Sequence, residues 1–327
     1  MNRDVNAIIN TMLKLKNTLN DVPDNRWKEQ ISSFFNRKRL AKSISFFRMI
    51  ISESKLDIRD KIVIDVGCGL GQNCVILALL GARKVYGVDI DAERIDYFRV
   101  KLRQWGKSVK EIERIELVVS DIFDFIPKHK GNLLLCNEML SHLWDRKTFY
   151  KKVEGMLSPG GVMFATDGNN GANQKIASKR KQKWVLAEEP GGRIYEARKT
   201  FILDRFPVLR TKNESIDYLT KGTCYLRPEK IIQNCKEFLE TGKLRQYKPF
   251  ITTKAPYDPE YSFLPNEDLL YPEQEIESIR SAGLEPQIVP YFFGGGRPLL
   301  LPLNRLLGCF SKISIKWARA IHILAKK

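Results

Sequence analysis

This sequence of 327 residues is short of histidine, of paired cysteines and of long apolar runs, and it has fewer acidic residues than basic ones. Its three histidines and six cysteines (Cys68, Cys74, Cys136, Cys224, Cys235 and Cys309) show no CxxC or Cys/His spacing. That excludes a zinc ribbon or finger and predicts free thiols in a reducing compartment, with no metal site. No apolar run reaches the roughly 20 residues that span a bilayer, which excludes an integral helical membrane protein. Met1 to Asn10 include Asp4 and offer no basic region feeding an apolar stretch, so no secretory signal and a cytoplasmic location are expected. Internal repeats and low-complexity tracts are also missing. With 43% hydrophobic residues, the chain has the material for a large core.

The shortage of acid leaves a net charge of +17. Residues 61–168 are nearly balanced, 16 Lys/Arg against 14 Asp/Glu, so +15 of the excess lies outside them. A basic surface attracts phosphates or anionic headgroups and says nothing about fold.

Residues 1–60 read as helices, with Val5, Ile8, Ile9, Met12 and Leu15 at helical spacing and a second stretch over 26–54. The rhythm then becomes strand–helix alternation. Strands are expected at 62–66, 84–89, 115–120, 132–136 and 162–166, with helices between. The helix over 147–157 is closed by Ser158-Pro159-Gly160-Gly161. After Asn170 the alternation stops for about a hundred residues rich in Lys/Arg and aromatics, read as an ordered insertion with a helix over 228–239. It resumes with a helix over 272–282, a sixth strand over 285–293 and a seventh over 317–325. The expected architecture is α/β, a Rossmann-like seven-stranded, mostly parallel sheet with helices on both faces. It carries an N-terminal helical extension and a large insertion after strand five. The corresponding parts are a helical lid (1–60), the core (61–170), an inserted cap (171–270) and the completion of the sheet (271–327).

Between the first strand and its helix runs Asp65-Val66-Gly67-Cys68-Gly69-Leu70-Gly71. Glycines there let backbone approach a ligand and turn into a helix N-terminus. A nicotinamide-type fingerprint wants Gly or Ala one place further on, where this chain has Gln72. Asp89 closes the second strand, where a carboxylate can accept both ribose hydroxyls, and Asp121 closes the third, where one can take an adenine amino group.

In these residues the chain resembles the class I S-adenosylmethionine-dependent methyltransferases of the small-molecule methyltransferase-domain type. The resemblance extends to Asn137-Glu138-Met139-Leu140-Ser141-His142-Leu143 and Leu157-Ser158-Pro159-Gly160-Gly161, covering about residues 60–168. It implies S-adenosyl-L-methionine as cofactor, bracketed by Gly67, Cys68, Gly69 and Gly71, with Asp65 near its amino group. It further implies Asp89 on the ribose, Ile90 against adenine, Asp121 and Ile122 at the adenine edge, and Asn137 facing the methionine part. The seventh strand is implied to be antiparallel and inserted next to the sixth.

The acceptor is less legible. Cys136-Asn137-Glu138-Met139 is not the Asn/Asp-Pro-Pro-Tyr/Phe of amino-methylating DNA enzymes, and Cys136 lacks the preceding Pro of a cytosine nucleophile. His142 is the leading base candidate, equally readable as a satisfied histidine beside the cofactor; Glu138 and Asp167 are further candidates. The reading is an enzyme that methylates a non-protein acceptor at oxygen: a glycan, a lipid-linked molecule or a secondary metabolite. An RNA acceptor is the alternative, permitted by charge but without a recognisable RNA-binding module, and a non-catalytic nucleotide-binding scaffold of the same fold is a second. Residues 297–310 are apolar, and 297–327 hold seven Lys/Arg and no acid. They suit peripheral contact with a membrane, or packing on the sheet or on a second subunit of a homo-oligomer.

Overall fold

A computed structural model of the chain describes residues 5–19, 25–261, 263–291, 306–307 and 310–327. They form two compact units, Met1–Met139 with Arg146–Gly168 and Glu273–Lys327, and Leu140–Asp145 with Asn169–Pro272.

The first unit is built on a seven-stranded sheet of order β3-β2-β1-β4-β5-β9-β8. Its strands are β1 (Ile62–Val66), β2 (Lys84–Asp89), β3 (Ile115–Val119), β4 (Gly131–Asn137), β5 (Leu157–Asp167), β8 (Glu285–Tyr291) and β9 (Ala320–Lys326). All five residues of β1 are buried, as expected of a β-branched run covered on both faces. Pairing is parallel from β3 through β5, while β9 lies antiparallel between β5 and β8. The seventh strand therefore sits beside the sixth as the resemblance implied. From β1 the chain winds outward through β2 to β3 and then returns to β4, so the order reverses between β1 and β4. In such sheets that reversal opens a crevice at the carboxyl ends.

The helices of this unit are α1 (Val5–Lys16), α2 (Asn25–Phe34), α3 (Arg37–Glu53), α4 (Gln72–Leu79), α5 (Ala92–Gly106), α6 (Arg146–Met156), α11 (Pro272–Ser281) and the short α12 (Ser311–Ser314). The N-terminal helices share the core with the sheet: Ile8, Met12, Leu40 and Ile44 join Val63, Val85, Leu133 and Phe164 in one buried cluster. Trp105 Nε1 of α5 donates to Thr18 Oγ1 at 2.6 Å just beyond α1. On α6, Tyr150 donates to Glu275 of α11 at 2.7 Å, and Arg146 Nε pairs with the same carboxylate at 2.9 Å.

The second unit is helical: α7 (Gln174–Glu188), α8 (Arg193–Arg205), α9 (Asn213–Gly222) and α10 (Pro228–Thr241), with a two-stranded ribbon of β6 (Tyr257–Asp258) and β7 (Leu264–Pro265). Of the insertion's aromatics, Trp184, Tyr195 and Phe263 are buried, while Tyr218 and Tyr247 stack at 5.6 Å and remain half exposed. A buried ion pair holds α7 to α8. Arg198 meets Glu188 with both arms of its guanidinium, and its Nε donates to Thr220 O at 2.8 Å.

Three expectations are corrected. The stretch over 26–54 is two helices, because Asn36 adopts an extended backbone and its side chain accepts from Lys38 N, capping a new helix start. Ser158-Pro159-Gly160-Gly161 does not merely end α6: β5 runs back through it, with Leu157 in register with Gly131. The last strand starts at Ala320, because residues 311–317 are taken by α12 and a turn. The stretch 297–310, apart from 306–307 and 310, lies outside the described residues.

Candidate cofactor site

Asp65, Gly67, Cys68, Gly69, Gly71, Asp89, Ile90, Asp121, Ile122, Asn137, Glu138 and Asp167 all fall in the first unit, on or just past β1 to β5. His142 falls in the second, half-buried on a single helical turn over Leu140–His142.

The loop from β1 to α4 turns through left-handed backbone at Gly67, Gly69 and Gly71, with φ of 68°, 56° and 76°. The two later glycines differ in what surrounds them. A β-carbon at Gly71 would meet Leu117 at 3.0 Å and Phe98 at 3.1 Å, so that glycine serves packing. One at Gly69 would meet nothing within 4 Å, so that glycine faces open space. Asp89 ties the loop to the end of β2. Its Oδ2 accepts from Gly69 N at 2.7 Å, and its Oδ1 accepts from Asp91 N at 3.0 Å. Beyond it Ile90 exposes 45% of its surface, an unusual state for isoleucine and a ready apolar shelf. Asp121 Oδ1 accepts from Phe123 N at 2.9 Å, and Ile122 turns its side chain into the core.

Asp65 is buried, and the Cys74 thiol donates to its Oδ2 at 3.5 Å. Burial lifts its carboxyl from 3.8 to about 7; the Cys74 hydrogen bond opposes the rise and the negative charge of Asp89 adds to it. Cys74 is itself held firmly protonated by its hydrogen bond with Cys68 and by burial. Two further buried acceptors at this end of the sheet, Gln72 Oε1 and Asn137 Oδ1, have no hydrogen-bond partner among the described residues. Gln72 was not among the residues singled out as ligands, although it directly follows the last loop glycine. Leaving a buried acceptor unmet costs about 1–3 kcal/mol, so a ligand bearing donors would relieve both.

Glu138 and Asp167 end neighbouring strands. Glu138 adopts φ of 51°, a rare state for a side chain with a Cβ, and its Oε2 accepts from Gly168 N at 3.1 Å. Asp167 is 1% exposed. Cys136 is fully buried on β4, as a structural thiol would be. Open space over Gly69, unmet acceptors at Gln72 and Asn137, a buried carboxyl at Asp65 and the Ile90 shelf fit S-adenosylmethionine. Its ammonium, ribose hydroxyls and adenine need those partners.

Residues 58–214, just under half of the chain, match the family described as Methyltransferase domain. A relative from Thiobacillus denitrificans, named ubiquinone biosynthesis O-methyltransferase, is 28% identical over 169 residues, 51% of this chain and 68% of that protein. Protein arginine N-methyltransferase 1 of Schizosaccharomyces pombe is 32% identical over 120 residues, 35% of each chain. A solved S-adenosylmethionine-dependent methyltransferase from Clostridium acetobutylicum superposes with a TM-score of 0.48 at 14% identity, covering 92% of this chain and 99% of that one. With the glycine loop and strand-end carboxylates in place, residues 58–214 are similar to a methyltransferase domain, and the relatives that match there are methyltransferases by name.

Proposed function

We propose that this enzyme transfers the cofactor's methyl group to an oxygen of a small-molecule acceptor, within the class of glycan, lipid-linked or secondary-metabolite alcohols and phenols. The observation that carries the cofactor half is the joint arrangement of Asp65, Gly69, Asp89 and the unmet Gln72 and Asn137 acceptors. The acceptor half is supported by relatives whose names specify O-methylation in ubiquinone biosynthesis.

When bound, the cofactor would supply an electrophilic sulfonium methyl group, passed to an acceptor oxygen in line with the breaking C–S bond with S-adenosylhomocysteine as the leaving group. The chain's own share is alignment and proton removal. Asp65 is suited to hold the ammonium, Asp89 the ribose, Ile90 and the Asp121–Ile122 turn the adenine, and Asn137 the methionine part. His142, Glu138 and Asp167 are the candidate proton acceptors. Of these, Glu138 has one carboxylate oxygen already engaged by Gly168 N, and its own backbone N donates to Thr166 O. Residues 1–60 and 171–270 are proposed as lid and acceptor-binding cap.

The test is incubation with methyl-labelled cofactor and a panel of catechols, polyprenylated phenols and sugars. Labelled methyl ethers support the reading; label on nitrogen, or on none of the panel despite cofactor binding, removes the acceptor half. An RNA acceptor is the second reading, favoured by Lys175, Lys179 and Lys183, which stand exposed one turn apart on α7. RNA binding that weakens steeply with salt supports it, and salt-insensitive or absent binding dismisses it.

A further inference from the structure

We propose that the described residues 306–307 and 310–318 seat this protein on an anionic lipid surface, with the crevice end of its sheet toward the bilayer. Leu306, Phe310, Ile313 and Trp317 recur at intervals of four, three and four, the spacing of one helical face. The backbone follows helical turns: Phe310 N donates to Leu307 O at 3.1 Å, Ser314 N to Phe310 O at 2.9 Å and Ala318 N to Ser314 O at 3.2 Å. Every member of the stripe is more than half exposed, at 59, 62, 59 and 67%. Ser314 at the flank of the stripe, and Ile315 and Ala318 turned away from it, are buried and anchor the element to the first unit. Single exposed apolar side chains are ordinary, but four large ones in line on an anchored element are not scatter.

Charge selects the occupant. Between Arg297 and Lys327 there are seven Lys/Arg and no acid, and Lys316 and Arg319 are exposed beside the stripe. An apolar stripe edged by cations and ending in tryptophan is the pattern of an element lying in the headgroup region of an anionic bilayer. A second copy docked by the same face would bring its own Lys316 and Arg319 against these cations, so the self-pairing alternative is disfavoured. Among the described residues no helix is long and apolar enough to cross a membrane, so the contact is peripheral.

Topology gives the contact its use. The element leads straight into β9, whose second residue Ile321 pairs with Asp167, the last residue of β5. It thus joins the sheet at the end where Asp89 and Asn137 terminate their strands. A bilayer at this rim suits an acceptor whose hydrocarbon part stays in the lipid while its hydroxyl reaches the crevice. This last step rests on the methyl-transfer reading; the lipid contact does not.

Flotation of the full chain with vesicles of phosphatidylcholine, alone or with phosphatidylglycerol, tests it. Binding to the anionic vesicles at least about tenfold tighter than to the neutral ones is expected. Phe310→Ser/Trp317→Ser should weaken it by about tenfold or more while leaving the melting temperature and cofactor binding unchanged. Lys316→Glu/Arg319→Glu should weaken anionic binding alone. A parent chain that stays with the soluble fraction, or a double serine variant that floats like the parent, overturns the proposal. So does a dimer in sedimentation that the serine variant splits while vesicles bind neither. If no acceptor is ever methylated, the flotation result stands by itself.

Discussion

Replacing Asp65 by asparagine should stabilise this protein in mild alkali and leave it unimproved in acid. Burial raises the Asp65 carboxyl from 3.8 to about 7, so the folded state holds its proton more tightly than the unfolded chain does. The favourable contribution of the protonated carboxyl is complete below about pH 4. It is lost as pH climbs toward 7, beyond which the folded protein carries a buried charge. The gap between 3.8 and about 7 amounts to roughly 4 kcal/mol at about pH 8.5. Asparagine removes that cost but buries an amide whose donors lack partners, at about 1–3 kcal/mol. The net gain is therefore on the order of 1–3 kcal/mol, or roughly 2–6 °C in a chain of this size. Thermal unfolding of parent and variant, stepped from about pH 4.5 to 8.5, isolates the effect because all other groups are shared. The difference should be absent or reversed at the acid end and open between pH 5 and about 7. With S-adenosylhomocysteine present the order should invert, since an ammonium beside Asp65 repays the charge and asparagine cannot. Parallel curves across the whole range would refute the reasoning.

The two later loop glycines, Gly69 and Gly71, should fail differently. Gly69→Ala should cost about 1–2 kcal/mol for its left-handed backbone and weaken cofactor binding at least about tenfold, with the fold retained. Gly71→Ala meets Leu117 and Phe98 as well, so roughly 2–4 kcal/mol of stability should go, read by urea unfolding. Asp89→Ala should abolish cofactor binding in a calorimetric titration, whereas His142→Ala should spare binding and lower kcat by about 100-fold or more. Unchanged turnover in His142→Ala removes it as the base. Arg198→Met, which strands Glu188 inside the second unit, should cost about 3–5 kcal/mol, and Glu188→Leu added to it should restore most of the loss.

What the sequence revealed follows from where local chemistry and fold agree. Ile62 to Asp65 could be read because β-branched residues precede glycines whose turn needs them, and Asp89 because it ends another such run. Ser158 to Gly161 were misjudged for a physical reason. Proline and glycine stop helices, but the same residues open an edge of β5 where Gly160 N donates to Lys327 O, a partner no local pattern announces. The break at Asn36 was hidden because Arg37 to Leu40 continue the helical mixture on either side. In the insertion only α10 stood out, marked by Pro228 at its start. On α7 and α8 the charges run round the whole helix, and the pairing of Arg198 with Glu188 ten residues away, which lets both be buried, is not announced by the pattern. His142 adjoins β4 in sequence yet belongs to the other unit, a division that spacing along the chain does not carry.

The antiparallel β9 also sets a timetable. Asp167 must wait for Ile321, 154 positions further along, before the outer edge of β5 is paired. At the usual pace of a ribosome that is about 8 to 30 seconds. For that interval Val162 to Ala165 form an open, apolar border of a growing sheet, the kind that captures strands from other chains. The four helices of the second unit, α7 to α10, find partners such as Asp258 and Asn266 in chain already made by then, so that unit can be complete while the first still lacks its closing strand. Slow synthesis or a chaperone that masks strand edges should therefore raise the yield of this enzyme more than any change to its glycine loop.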